Sequence, residues 1–213
     1  DPTGLSSVNR YHTCGGPWPG PRTVKVQYED CSKARRDLMG TRVCRAFRAS
    51  GQASDKVFML WACDYTGTTL PGIGTTRNQV KFWFGGPDNS TSLGSKEEIW
   101  TTLEDVFDAI TSDDFDIDCE GSDGHCTEAA AYVVGPWGDD INLCDSYFNS
   151  GWSVNAQTGV LVHELTHAYN DTADHFYYLN GMSNQPYNSW IETPTLRENA
   201  DNYRMFTQNF FMP

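Results

Sequence analysis

The sequence lacks any apolar run long enough to cross a membrane, because its longest runs, such as 57–62, have only the length of a buried core segment. It also lacks an excess of basic residues: 28 Asp and Glu against 15 Lys and Arg give a formal net charge of −13. A surface of this charge would repel the phosphates of nucleic acids. We therefore expect neither a membrane nor a nucleic acid as a partner. We also expect the protein to be a monomer.

Cysteine pairs of the C-x-x-C type are also missing, which argues against a zinc ribbon and against a thioredoxin-like redox site. Seven cysteines in 213 residues are nevertheless many, and they indicate a disulfide-bonded, secreted, extracellular protein. Asn89 and Asn170 begin glycosylation sequons, which agrees with secretion. Residues 1–4 have none of the basic and apolar regions of a signal peptide, so we expect the numbering to begin at a processed N-terminus.

Residues 1–25 are rich in Pro and Gly and predict an extended N-terminal arm, so the folded domain is expected to cover residues 26–213. The first helix is predicted over 30–49, with a break near Gly40, because charged and apolar residues alternate there with a helical period. Residues 54–64 fit either a second helix or a buried strand, since periodicity does not distinguish the two in a short apolar segment.

The middle and the end of the chain predict further helices and a small sheet. Ser95 and Glu98 have the spacing of a capping box, and apolar residues follow at helical spacing to about Thr111. Three short segments then predict strands of one antiparallel sheet: 115–118, 129–134 and 141–143. Two more helices are expected, one over 160–169 and one that begins at Thr193. The fold class is therefore α+β, a mainly helical single domain with a small antiparallel sheet.

The strongest functional signal is the H-E-x-x-H sequence at 163–167. Residues i and i+4 of a helix lie on the same face, so the imidazoles of His163 and His167 can bind one metal ion. Zinc lowers the pKa of a bound water to about 7, and Glu164 can then take the proton of that water as a general base. Apolar residues surround the motif, and burying two histidines and a glutamate is costly unless a metal or hydrogen bonds satisfy them. The segment therefore predicts a site for one catalytic zinc ion.

A catalytic zinc ion needs a third protein ligand and one open position for water. The metzincin pattern fails, because Ala173 replaces its third histidine and Asn170 replaces its glycine. A thermolysin-like site would take a glutamate from a later helix, for which Glu192 and Glu198 are candidates. The remaining candidate is Asp174, which follows the motif after a turn. The residues alone leave this choice open.

The segment after the motif resembles the deuterolysin-type aspzincins, secreted zinc metallopeptidases found chiefly in fungi. In this family H-E-x-x-H is followed by G-T-x-D-x-x-Y-G, and Thr172, Asp174 and Tyr177 match that pattern in register, while both glycines are replaced. The segment Asn199–Phe206 is similar to the later N-A-D-x-Y-x-x-F motif, and the cysteine-bearing segments between residues 119 and 148 are also similar to the family.

The resemblance implies a zincin-like catalytic domain over 26–213 that hydrolyses peptide bonds in proteins. It implies Asp174 as the third zinc ligand and Tyr177 as the donor of a hydroxyl to the oxyanion of the tetrahedral intermediate. It places Asp201 near the pocket for the residue after the scissile bond, where a carboxylate would favour lysine and basic substrates. Arg204 follows one turn later and is expected to pair with Asp201, which would weaken that preference.

The resemblance also implies two disulfide bonds, Cys126–Cys144 and Cys31–Cys119, of which the choice of Cys31 is ours. A further bond between Cys44 and Cys63 would leave Cys14 unpaired.

Two functions fit these residues. The first is a secreted zinc-dependent endopeptidase in which Glu164 is the general base. The alternative is a catalytically weak or inactive zinc-binding secreted protein or effector on a peptidase scaffold, which the replaced glycines and the N-terminal arm favour. A pure metal binder does not need Glu164, so the presence of this residue favours the enzyme.

Overall fold

A computed structural model describes residues 7–15, 20–85, 92–112, 116–121, 124–134, 140–149, 151–175 and 193–211. The strands in these ranges are β1 (Val8–Cys14), β2 (Arg22–Glu29), β3 (Asp116–Asp118), β4 (Ala131–Val133) and β5 (Asp140–Leu143). The helices are α1 (Lys33–Thr66), α2 (Ile73–Phe84), α3 (Leu93–Thr111), α4 (Asp145–Asn149), α5 (Val154–Asn170), α6 (Thr193–Glu198) and α7 (Ala200–Phe211). The predicted α+β class with a predominance of helix is confirmed.

Helix α1 is a single helix of 34 residues, so the predicted break near Gly40 is wrong. Its N-cap is Ser32, whose side chain accepts a hydrogen bond from the backbone N–H of Arg35, and it ends at Gly67 in the left-handed conformation. Gly40 serves packing instead, because a Cβ atom there would lie only 2.6 Å from Nδ1 of His12 on β1. The absent side chain therefore lets strand β1 approach the helix closely.

Helix α3 ends at Thr111, where the apolar pattern placed its end. It begins one turn earlier than predicted, because Ser92, and not Ser95, accepts the capping hydrogen bond. Ser95 is the donor of that bond through its backbone N–H, at 3.0 Å. The predicted last helix is in fact two helices, α6 and α7, separated at Asn199.

The sheet has the strand order β1-β2-β3-β5-β4, and the three short strands predicted in the middle of the chain belong to it. The expectation of an antiparallel sheet is wrong, because β3 pairs in parallel with both β2 and β5. Only the outer pairs, β1 with β2 and β4 with β5, are antiparallel. Strand β1 lies in the segment predicted as an extended arm, and it is part of the same sheet.

Two clusters of buried apolar residues form the core. The first fills the space between the sheet and helices α1, α3 and α5, and it includes Val26, Met39 and Leu161. The second joins α1, α2, α3 and α7, and it includes Leu60 and Phe206. Helix α5 lies against α7, so the residues of the two helices that face each other are buried. Among the described residues no helix is both long enough and apolar enough to cross a membrane.

Three disulfide bonds cross-link the fold. Two of them are the pairs that the resemblance implies, Cys31–Cys119 and Cys126–Cys144. The third joins Cys14 to Cys44, and Cys63 is a free, buried thiol, so the expected bond between Cys44 and Cys63 is wrong. Since both of these residues lie on the continuous helix α1, 19 residues apart, the rise of about 1.5 Å per residue holds them about 28 Å from each other.

Candidate active site

Helix α5 presents the two histidines of the motif side by side. It begins at Ser153, whose hydroxyl accepts a hydrogen bond from the backbone N–H of Ala156, and it ends after Asn170. His163 and His167 lie one turn apart, and their Nε2 atoms are 3.1 Å from each other. His163 is buried and His167 is half-buried, so both rings are held between the helix and the residues that follow it.

The loop after α5 turns back and brings Asp174 to the two rings. Asp171 begins the turn with a positive φ of 49°, a backbone conformation that glycine adopts without strain and that Asp tolerates better than most residues. Oδ1 of Asp174 then lies 3.0 Å from Nε2 of His163 and 3.2 Å from Nε2 of His167. Asp171 stands where the family has the first of its two glycines. This replacement therefore does not prevent the loop from bringing Asp174 to the two rings.

Backbone hydrogen bonds fix this loop against the junction between α6 and α7. The N–H of Ala173 donates to the carbonyl of Glu198 at 2.7 Å, and the N–H of Ala200 donates to the carbonyl of Ala173 at 3.1 Å. The side-chain oxygen of Asn199 accepts from the N–H of His175 at 3.0 Å. Asp174 lies between these bonds, so the packing of α6 and α7 determines its position.

The three side chains fit a metal of the size of zinc. In a tetrahedral site with bonds of about 2.0–2.1 Å the ligand atoms are about 3.3 Å apart. The distances between Nε2 of His163, Nε2 of His167 and Oδ1 of Asp174 are 3.0, 3.1 and 3.2 Å, a nearly equilateral triangle. A shift of a few tenths of an ångström gives the tetrahedral spacing. Two imidazoles with one carboxylate are also ligands that zinc prefers.

Each imidazole faces an acceptor on the side away from this triangle. Nδ1 of His167 donates a hydrogen bond of 2.6 Å to the backbone carbonyl of Thr172. Nδ1 of His163 faces Oδ1 of Asp201 at 3.3 Å. A proton on Nδ1 leaves the lone pair of Nε2 available, which is the tautomer that a metal ligand needs.

Burial and charge perturb the ionisable groups of the site. Burial lowers the pKa of His163, but hydrogen bonds to Asp174 and Asp201 outweigh it and raise this pKa to about 9. The pKa of His167 is also raised, since the hydrogen bond to Asp174 outweighs burial. The pKa of Glu164 is raised by burial, although the two imidazoles oppose this effect. Without a metal, the site therefore attracts protons to the positions at which the metal would bind.

Asp201 lies on α7 and is only 1% exposed. Burial would raise the pKa of its carboxyl group, but hydrogen bonds with His163 and Arg204 hold the pKa below its usual value. Arg204, one turn later on α7, donates to both carboxylate oxygens, with a distance of 2.8 Å between Nη2 and Oδ2. The pairing of Asp201 with Arg204 that the sequence suggested is thus present.

The other predicted site residues are placed as follows. Tyr177 and the alternative ligand Glu192 lie outside the described residues. Glu198, the other thermolysin-like candidate, has a side chain that is 59% exposed and points to His175 at 3.7 Å. Within the described ranges, His163, His167 and Asp174 are the one group of three metal-ligating side chains that converge.

A cleft of about 1030 Å³ opens over the triangle. Helix α5 and the loop after it form one wall together with Asp201 and Arg204 of α7, and β4 with the segment before it, from Gly124 to Val133, forms the other. His125 and Tyr132 pack against each other in this second wall, with ring centroids 4.9 Å apart.

The sequence did not reveal that the carbonyl of Thr172 accepts a hydrogen bond from His167. A backbone carbonyl has no signature in the pattern of side chains.

Comparisons with known proteins identify a family and a similar fold. Residues 72–208, well over half of the chain, match the aspzincin family, which is described as lysine-specific metallo-endopeptidase. The fold is similar to that of a zinc peptidase from Grifola frondosa, with a TM-score of 0.53 over 84% of this chain and 97% of that one. The two sequences are 19% identical, so this likeness concerns the fold. No curated protein sequence matches the chain.

Proposed function

Because this chain belongs to the aspzincin family of zinc metallo-endopeptidases, we propose that it cleaves peptide bonds in proteins at the site on α5. His163, His167 and Asp174 would hold one zinc ion. The observation that carries the proposal is the triangle of their ligand atoms, with sides of 3.0, 3.1 and 3.2 Å. Bound zinc supplies Lewis-acid activation of a water molecule and of the peptide carbonyl.

Glu164 is the proposed general base. It lies in the wall of the cleft next to His163, and burial raises the pKa of its carboxyl group, which makes the carboxylate a stronger proton acceptor. In the proposed reaction Glu164 accepts a proton from the attacking water and later gives it to the nitrogen of the leaving amine. One carboxyl group thus serves both halves of the hydrolysis.

Tyr177 is proposed to donate its hydroxyl to the oxyanion that forms on the substrate carbonyl. The support for this role is the position of Tyr177 three residues after Asp174 in the family pattern. A Tyr177→Phe variant that keeps its zinc content but loses most of its kcat would support the assignment.

The preference for basic substrates is also a proposal. A net charge of −13 and the carboxylates that line the cleft favour the approach of basic proteins. A substrate-binding role for Asp201 is supported by its place in the wall of the cleft. The same carboxylate binds the guanidinium of Arg204, so a lysine side chain of the substrate would have to compete with it.

Secretion is proposed from the three disulfide bonds, which form and persist in oxidising compartments. The alternative of an inactive zinc-binding protein rests mainly on the replaced glycines. Asp171 adopts the backbone conformation that a glycine would take, which removes part of that support. The buried Glu164 also favours the enzyme.

Hydrolysis of casein with and without a chelator tests the proposal, together with zinc content measured for three variants. Glu164→Gln should keep its zinc and lose cleavage, because the ligands remain and the base is removed. Asp174→Asn should lose zinc. Glu198→Gln is the matched control, since this exposed glutamate on α6 should affect neither measurement.

Each outcome is decisive. If Glu164→Gln cleaves casein like the unchanged protein, Glu164 is not the base. If Asp174→Asn keeps zinc and Glu198→Gln loses it, the site is thermolysin-like. A protein that binds zinc firmly but cleaves no protein substrate would favour the alternative.

A further inference from the structure

A buried ion pair on α7 lies directly behind the His163 ring. Asp201 is 1% exposed and Arg204 is 8% exposed, so both charged groups are almost completely removed from solvent. The guanidinium binds the carboxylate in a bidentate manner, through Nε to Oδ1 and through Nη2 to Oδ2. A charged pair at this depth is costly unless its geometry is good and its remaining atoms are satisfied.

The carboxylate of this pair also contacts the metal site. Oδ1 of Asp201 lies 3.3 Å from Nδ1 of His163, just beyond the usual hydrogen-bonding distance. The opposite atom of the same ring, Nε2, is a corner of the ligand triangle. The imidazole therefore connects the ion pair to the place of the metal.

We propose that Asp201 is a positioning residue, anchored by Arg204, which holds the Nδ1 proton of His163 and thereby keeps Nε2 turned towards the metal. The proposal rests on the proposed function in one respect, namely that His163 is a zinc ligand. Carboxylates that accept a hydrogen bond from a metal-binding imidazole orient the ring and raise its basicity.

The comparison between the two histidines shows why an anchor is needed. His167 is held by the carbonyl of Thr172, a backbone group that the loop itself fixes. His163 depends on a side chain, and a free aspartate side chain has several rotamers. Bidentate binding by Arg204 restricts Asp201 to the rotamer that faces His163.

Helix α7 is itself firmly placed, which gives the anchor a rigid base. The side-chain amide of Asn202 donates to the carbonyls of Trp83 and Leu196, at 2.9 and 2.6 Å. Tyr203 and Phe206 are fully buried on the other side of the helix, against Phe84 of α2. The position of Asp201 relative to α5 is therefore determined by the core.

The pair has a consequence for substrate recognition. Arg204 engages both carboxylate oxygens of Asp201, and one of them also faces His163. A lysine ammonium in the cleft would have to break the bidentate contact to reach them. We therefore expect Asp201 to influence metal binding more than the choice of the residue after the scissile bond.

The test measures zinc affinity by competition with a chelator at a fixed pH, and kcat and KM with two peptides that differ only by Lys or Ala after the scissile bond. Asp201→Asn should weaken zinc binding by about 10- to 100-fold and should leave the ratio of kcat/KM for the two peptides unchanged. Arg204→Met should weaken zinc binding in the same direction, and Arg204→Lys should restore part of the loss. These two variants also decide the question if Asp201→Asn does not fold.

Asp64→Asn is the matched control, because Asp64 is a half-buried carboxylate paired with Arg77 and Lys96 away from the cleft. It should not change zinc affinity, even if it lowers the stability of the metal-free protein. Zinc affinity within twofold of the unchanged protein for both Asp201→Asn and Arg204→Met would overturn the proposal. So would a loss of the lysine peptide's advantage with normal zinc affinity, which would assign Asp201 to the substrate. If the unchanged protein binds no zinc, the proposed function itself fails.

Discussion

The bond between Cys31 and Cys119 should contribute more to stability than either of the other two disulfides. It joins the end of β2 to the end of β3, two parallel strands that pair over only three residues. The two cysteines are 88 residues apart in sequence, against 30 for Cys14–Cys44 and 18 for Cys126–Cys144. Since a cross-link restricts the unfolded chain more when it closes a longer loop, the three bonds should differ in this order.

The loop lengths give the expected size of the effect. With the chain-entropy relation, a loop of 88 residues corresponds to about 4.5 kcal/mol at 25 °C and a loop of 18 residues to about 3 kcal/mol. Replacement of both cysteines of each pair by alanine removes the cross-link without burying a new polar group. The variant without Cys31–Cys119 should therefore lose about 1.5 kcal/mol more than the variant without Cys126–Cys144.

Urea unfolding of the metal-free proteins in a chelator measures this difference, because bound metal would otherwise add to the stability of the folded state. The slope of the free energy with urea should also increase in the variants, since their unfolded chains are less restricted and expose more surface. Two results would refute this expectation. Removal of Cys31–Cys119 could lower the unfolding free energy by less than about 1 kcal/mol, or it could lower it by less than removal of Cys126–Cys144 does.

Two further predictions concern pH. Burial and the nearby carboxylates of Glu120, Asp30 and Glu29 raise the pKa of Asp118 to about 6, so the folded state binds this proton more tightly and the group lowers stability as pH rises from about 4 to about 6. After allowance for solvent screening, Asp118→Asn should therefore add about 1 kcal/mol to the unfolding free energy at pH 7 and nothing at pH 3, whereas an equal effect at both values would contradict this. The pKa of His163 is about 9 without metal, because the hydrogen bonds that its ring donates to two carboxylates outweigh burial. Protons should thus weaken zinc binding about tenfold or more for each pH unit below about 8, and competition titrations that find no change between pH 6 and 8 would refute this.

Local patterns predicted those features that depend on neighbours in the sequence. The histidines of the motif share a face because α5 is helical from end to end, and the end of α3 at Thr111 follows from the loss of its apolar stripe. The short strands β3, β4 and β5 were visible as changes of period from helical to alternating. The family was visible as well, because its motifs have fixed spacing.

Local patterns failed where one residue has two possible uses. Gly40 looked like a helix breaker, but in the structure it allows the close approach of His12. Ser95 has the spacing of a capping residue, but Ser92 is available one turn earlier and takes that role. The role of Gly40 depends on a strand that is distant from it in the sequence. The role of Ser95 depends on Ser92, which the capping-box spacing does not include.

The sequence by itself determined helices α3 and α5, strands β3 to β5, the motif and the kind of metal that the residues suit, because helical and strand periods and ligand chemistry act over a few neighbouring residues. Only the tertiary structure decided that β3 pairs in parallel on both sides, that Cys14 reaches Cys44, and that Asp201 lies behind His163. These contacts join residues 24 or more positions apart. Their geometry depends on how all the helices pack around the common core, and a local pattern contains no information about that packing.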